Sequence, residues 1–334
     1  MRIVIPGGSG QIGTLLARAF RPDHEVIVLS RHSTPAPWRV APWDGATLGP
    51  WVDVFEDADV VINLAGRSVN CRYNAANRAA IKDSRVSATR AVGAAIARVD
   101  HPPRVWLQAS TATIYAHRYD APNHEQTGLL GGTEGNVPDT WRFSIDVARS
   151  WEEACLEAAT PRTRKILLRS AMVMSPDRGG VFDAFLGLVR KRFGGKQGNG
   201  RQFVSWIHDR DFIRAVSWLI EHDLAGPVNI AAPNPLPNAE FMRTLRQAWG
   251  VRLGVPAPRW LLEIGAFFMR TETELILKSR RVIPGRLLEA GFRFDFPTWR
   301  DAAVDLCARY RGNRPSAGEA GGVGEYSEPI PPRS

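Results

Sequence analysis

Cysteine is scarce, with 3 in 334 residues, at Cys71, Cys155 and Cys307. They are odd in number and far apart, which excludes a disulfide framework and leads us to expect a reducing, cytoplasmic home. The 7 histidines fall at no metal-ligand spacing, so no metal site is expected. No apolar run is long enough to cross a bilayer, and the first residues read as a strand, not a signal peptide. The formal charge is +9, but the arginines are scattered and form no run interleaved with aromatics. That pattern argues against nucleic acid as a partner and fits solubility plus a cationic pocket for phosphates. No internal repeat is visible.

What is present begins at once. Ile3-Val4-Ile5 reads as a strand and runs straight into Gly7-Gly8-Ser9-Gly10-Gln11-Ile12-Gly13. A helical pattern follows through Leu15, Leu16, Ala17, Ala19 and Phe20. Strand, glycine turn and helix come in the order that a dinucleotide site requires. One glycine allows the tight turn, one lets the backbone approach a pyrophosphate, and one lets helix pack on strand. The helix N-terminus then offers free N–H groups and partial positive charge to phosphates.

The second strand, Glu25 to Leu29, speaks to which dinucleotide. A site selecting NAD carries an acidic residue near its end to hold the ribose hydroxyls. Here the strand ends Ser30-Arg31-His32, with no carboxylate. A guanidinium there suits a 2′-phosphate, so NADP(H) is the expected cofactor.

Further along, Asp59 to Gly66 is a buried-type strand ending in the small residues Ala65-Gly66. Residues 77–99 are helical, Arg104 to Ser110 a strand, 144–158 a helix, Lys165 to Arg169 a strand, and Pro227 to Ala231 a short late strand. The stretch from His117 to Thr140 reads as a long loop. Helices are expected at Asn238–Trp249 and Pro258–Phe268, and a disordered tail at 311–334. The expected architecture is α/β, a doubly wound parallel sheet with a smaller, mostly helical C-terminal region closing the pocket. Residues 1–230 form the expected Rossmann domain and 231–310 the small domain.

Several motifs together carry a resemblance. They are Gly7-x-x-Gly10-x-x-Gly13, Asn63-Leu64-Ala65-Gly66, Ser110 to Tyr115 and Leu168-Arg169-Ser170, with Trp43-Asp44-Gly45, Ser84-Arg85, Trp151-Glu152, Trp206-Ile207-His208 and Arg281 to Leu287. The chain resembles the extended and atypical short-chain dehydrogenase/reductase superfamily, in particular its epimerase-like (nucleoside-diphosphate-sugar epimerase-like) group with a small C-terminal domain. The resemblance implies that the glycine turn, Ser30, Arg31, Leu64, Ala65, Gly66 and Arg85 lie on NADP(H). It implies an oxidoreductase, epimerase or dehydratase acting on a small anionic or sugar-nucleotide-like substrate, as monomer or homodimer.

One part of the superfamily pattern is missing. A working member pairs a tyrosine with a lysine four residues on, sharing one helix face. The Lys lowers the Tyr pKa and the Tyr exchanges a proton with the substrate. Residues 141–152 contain neither. Arg149 supplies charge there but cannot relay protons. Thr111 takes the place of the substrate-orienting Ser/Thr, or else caps the turn that follows it. Tyr115 is the candidate stand-in acid. His208 reads as a core histidine bonded to an acidic neighbour. Arg190, Lys191, Arg192, Lys196 and Arg201 flank a glycine-rich loop at 194–200, either an anion grip or a solvated turn. The second function class, with the proton relay lost, is a non-catalytic NADP(H)-binding regulatory or scaffold protein.

Overall fold

The computed structural model describes residues 1–32, 35–135, 137–258 and 277–312. Seven strands form one sheet in the order β10-β6-β5-β4-β1-β2-β3. They are β1 (Arg2–Pro6), β2 (Glu25–Ser30), β3 (Arg39–Pro42), β4 (Val60–Asn63), β5 (Val105–Thr111), β6 (Arg164–Ser170) and β10 (Gly226–Ile230). Every pairing in this sheet is parallel. Strand order reverses beside β1, so the carboxyl ends of β1 and β4 open a crevice there. The strands read as continuous apolar runs because helices cover both faces. Ile3, Val4 and Ile5 are fully buried, each worth roughly 1.5–3 kcal/mol over exposure.

One face is covered by α1 (Gln11–Phe20) and α5 (Asp209–Glu221), which share a core with Ile3, Ile5, Leu107 and Ile166. The other face is covered by α2 (Ala75–Arg98) and a 3-10 turn at Pro50–Phe55, packed on Val4, Val61 and Trp106. Helix α2 starts at Asn74, whose side chain accepts the Asn77 N–H at 2.8 Å, a side-chain N-cap. Helix α3 (Asp139–Leu156) crosses beside it. Its first residues, 139–143, extend the helix expected from Ser144, because Pro138 ends the loop in extended backbone and sets the helix start.

A third core builds the smaller lobe. It joins Met174, Phe182, Leu186 and Trp206 to Phe241, Leu245, Trp299 and Leu306. Its elements are β7 (Met172–Met174), α4 (Val181–Arg190), β8 (Phe203–Val204), β9 (Trp206–His208), β11 (Leu236–Pro237), α6 (Asn238–Trp249) and α8 (Trp299–Gly312), while α7 (Gly285–Glu289) packs on β10. The lobe therefore takes residues from both sides of position 230. Helix α6 has the expected bounds. The helix expected at Pro258–Phe268 falls, after Pro258, outside the described residues, and so does the tail from 313. Residues 311–312, expected to begin the tail, are the last turn of α8.

Candidate functional site

Two adjoining cavities open at the carboxyl ends of β1, β2, β4 and β5. The outer one, about 380 Å³, is lined by Gly7, Ser9 and Gly10 from the glycine turn, by Ser30 and Arg31 after β2, and by Ala65 and Gly66 after β4. Trp43, Asp44 and Gly45 close its far side. Gly7 sits at φ +73, and a Cβ there would lie 2.6 Å from the Ala65 Cα. A Cβ on Gly13 would lie 2.3 Å from the Gly8 Cα, so helix α1 can approach the turn this closely only through glycine. No side chain caps α1 and its first turn holds no acid, which leaves its amides and positive end facing the cavity.

The floor is fixed from behind. Buried Asn63 donates to Gln108 Oε1 at 2.9 Å and to Thr89 Oγ1 at 3.3 Å, while its Oδ1 accepts the Ala65 N–H at 3.1 Å. That bond sets the turn on which Gly7 rests. Ser30 Oγ donates to Ser9 Oγ at 3.1 Å, tying the end of β2 to the glycine turn. Arg31 is exposed at the rim. Asp44 and Asp83 are the carboxylates that line the same cavity, and the Asp44 oxygens are occupied by the Thr47 hydroxyl and the Ala46 and Thr47 amides. Those bonds, the Thr47 hydroxyl first, pull the Asp44 pKa down to about 2.

Of the remaining sequence candidates at this end, Gly8 and Ile12 lie behind the turn, Ile12 against the sheet core. Leu64 packs on the same core and donates its N–H to Pro6 O at 2.9 Å. Gln11 lies over Gly180, at the start of α4.

The inner cavity, about 160 Å³, is lined by Tyr73, Arg85, Thr111, Thr113, Phe143, Ser144, Ala148, Trp151 and Arg280, with Val69, Ile81 and Val147. Arg85 rises one helical turn from Ile81, beneath Gly66. Its Nη1 donates to Arg67 O at 3.0 Å and Ile81 O at 2.9 Å, and its guanidinium lies 4.9 Å from the Trp151 ring. Burial pushes its pKa down to about 10. Thr111 lines the cavity and also caps, its Oγ1 accepting the Thr113 N–H at 3.2 Å. The two roles are compatible because a hydroxyl accepts with a lone pair and keeps its hydrogen to donate. Ser144 and Ala148, four apart on α3, line the cavity together.

Tyr115 lines neither cavity. It is 2% exposed, donates to Asn229 Oδ1 at 2.9 Å and accepts from Arg169 Nη1 at 3.1 Å. Burial pushes its pKa up, against the nearby Arg169 cation. Arg169 in turn grips Glu152 through two bonds of 2.8 Å, and Ser110 Oγ donates to the same carboxylate at 2.5 Å. This buried network ties β5, α3, β6 and β10 together directly behind Thr111. Arg149 donates to Gly131 O at 2.8 Å and lines neither cavity. Tyr73, two residues before α2, is among the cavity residues that sequence reasoning missed, with Thr113, Phe143 and Arg280. It lies in a loop without periodicity, and only the folding of α2 against Phe143 (ring centroids 5.1 Å apart) brings it to the wall.

The C-terminal chain closes the inner end. Lys278 Nζ donates to Thr113 O at 2.7 Å, Arg280 Nε to Thr113 Oγ1 at 3.1 Å, and Asn123 N to Arg281 O at 2.6 Å. His208 is fully buried, as expected, but its acidic partners are Asp305, 2.9 Å from Nε2, and Asp209. The neighbouring Asp211 instead accepts the Asp295 and Phe296 amides. The glycine-rich loop at 194–200 is neither free nor wholly solvated. Gln197 is buried on Asn238 through bonds of 2.8 and 2.9 Å. Among the described residues Glu56, Asp57 and His101 bring possible metal donors together on the surface, but Glu56 accepts the Asp100 and His101 amides. No described helix is long and apolar enough to cross a membrane.

A doubly wound parallel sheet with a glycine-lined crevice at its switch point defines a Rossmann-type α/β protein. The chain belongs to the NAD dependent epimerase/dehydratase family, whose model matches residues 3–231. Residues 257–306 match a domain of unknown function, DUF1731. The epimerase family protein SDR39U1 of Bos taurus is 31% identical over 314 residues, covering 92% of this chain and all of that protein. The epimerase family protein ML0860 of Mycobacterium leprae is 31% identical over 304 residues, covering 90% of this chain and 94% of that one. The crystal structure of human SDR39U1 (isoform 2) with NADPH aligns at a TM-score of 0.80 and 28% identity, over 92% of this chain and 99% of that one. A UDP-N-acetylglucosamine 4-epimerase from Methanobrevibacter ruminantium M1 shares the fold, at TM-score 0.69 and 15% identity.

Proposed function

We propose that this protein is an NADP(H)-dependent epimerase-like oxidoreductase acting on a small carbonyl or hydroxyl compound in the inner cavity. The observation that carries the reading is the meeting of the two cavities at Gly66 and Arg85, which sets a cofactor cradle directly against a second, smaller pocket. The cradle fits a dinucleotide. Gly7, Ser9, Gly10 and the uncapped start of α1 suit a pyrophosphate, Ala65 and Gly66 leave room for a ribose, and Arg31 suits a 2′-phosphate. Of the two carboxylates lining the cradle, Asp44 and Asp83, the first is already occupied within its own turn. The human SDR39U1 structure with NADPH supports the same assignment.

NADP(H), when bound, supplies or takes a hydride. The chain's own residues would orient the substrate and manage its proton. Thr111 keeps a donor for a substrate oxygen. Tyr73 is the phenol on the described wall, which Arg85 also lines. It takes the part that no tyrosine on α3 can fill. Tyr115 supports the wall through Arg169 and Glu152. The three free cysteines fit a reducing, cytoplasmic setting.

The test is NADPH oxidation with a panel of small carbonyl compounds. Turnover that falls about 100-fold in Tyr73→Phe, and less in Thr111→Val, supports the reading, since one positioned acid contributes 10²–10⁴-fold. One observation favours the non-catalytic alternative, namely that α3 holds no tyrosine and no lysine. NADPH binding without turnover of any compound would establish it.

A further inference from the structure

The inner cavity carries an inference about its occupant, which rests on the site reading above. Its described lining holds two guanidinium groups, Arg85 and Arg280, and no carboxylate. Among the described residues no acid bonds Arg85, whose hydrogen bonds go to two main-chain carbonyls. A half-buried cation over an aromatic ring, bonded among the described residues only to neutral carbonyls, attracts an anion. One wall is apolar, made along a single face of α3 by Phe143, Val147 and Trp151. The volume, about 160 Å³, is close to that of a cavity that admits one benzene ring. A nucleoside diphosphate sugar is several times larger than this volume.

We propose that the inner cavity binds a small monocarboxylate with an apolar body, its carboxylate on Arg85, and that it excludes nucleotide sugars. The cation sets the class of ligand, the apolar wall sets its body, and the volume sets its size.

Calorimetric titration of the full chain tests this, with and without saturating NADPH. The probes are benzoate and phenylacetate, their neutral amides benzamide and phenylacetamide, and UDP-glucose. The acids should bind about 10- to 100-fold more tightly than the amides, the range for a charge-assisted pair. Arg85→Gln should bring acid and amide to equal affinity, and Arg85→Lys should restore part of the difference. UDP-glucose should give no binding. Equal affinity of acid and amide for the unmutated protein, no binding of either acid, or UDP-glucose binding more tightly than both acids would overturn the proposal. So would loss of NADPH affinity in Arg85→Gln, which would put that guanidinium on the cofactor. Failure of NADPH itself to bind is a separate outcome, read in the same instrument. It would remove the cofactor reading while the acid and amide titrations of the free protein still decide the anion.

Discussion

At the scale of single residues, the glycine turn is tightly constrained. Gly13→Ala would drive a Cβ into the Gly8 backbone, a contact that no side-chain rotation relieves. We expect a loss of about 1–3 kcal/mol in urea unfolding and at least a tenfold weaker NADPH affinity, as α1 moves off the turn. The buried thiols give a pH dependence. Burial pushes Cys155 up to about 12 and Cys307 up to about 11, from an ordinary value near 9. Unfolding lets each release its proton first, so their contribution is complete below about pH 9 and is lost as pH rises toward the folded values, by about 1.4 kcal/mol per pH unit for each thiol. Urea midpoints measured from neutral to strongly alkaline pH should fall along that slope, and Cys155→Ala should make it shallower. The glycines were legible in the sequence because their spacing is itself the signal. Tyr73 was not, because a loop residue reaches a cavity only through the packing of other elements. Tyr115 shows the converse. Its place after β5 invites a catalytic reading, while its hydroxyl lies between Asn229 and Arg169.

At the scale of elements, the Glu152–Arg169 pair joins α3 to β6 and, through Ser110, to β5. Burial works against the Arg169 cation, and Glu152 more than offsets it, holding the guanidinium above the ordinary arginine range. Glu152→Gln strands that cation, and removing one partner of a buried pair costs about 3–5 kcal/mol. Thermal unfolding should show the loss, and Arg169→Met added to Glu152→Gln should recover part of it. A milder effect is expected at α6. Asn238→Ala removes both Gln197 bonds and should cost about 1–3 kcal/mol, with faster proteolysis of the 194–200 loop. The central strands and α6 were legible because apolar runs and a full helical period mark them. Strand β3 was not, since Arg39–Pro42 is a four-residue edge with a proline at its end. Helix α5 begins at a histidine cap, His208, whose ring accepts the Arg210 N–H, an uncommon start that conceals the boundary.

At the scale of the whole molecule, the smaller lobe is built by residues on both sides of β10. Met174, Phe182 and Trp206 precede that strand, whereas Phe241, Trp299 and Leu306 follow it. A chain ended at residue 230 would therefore expose half of a core. We expect it to aggregate or to lack cooperative unfolding, as circular dichroism and gel filtration would show. The sequence showed a mostly helical C-terminal region beyond 230 but could not show that the segment around Met172–Val204 crosses over to join the later helices. The same crossing brings Arg280 to the inner cavity, so pocket and lobe form together.

The most direct test of the account is a tryptophan-quenching titration with NADPH and with NADH, on the unmutated chain and on Arg31→Ala. The account predicts tighter NADPH binding, with the preference reduced about 10- to 100-fold in the variant, the worth of one charge-assisted contact. Equal affinity for the two cofactors, or a preference untouched by Arg31→Ala, would contradict it.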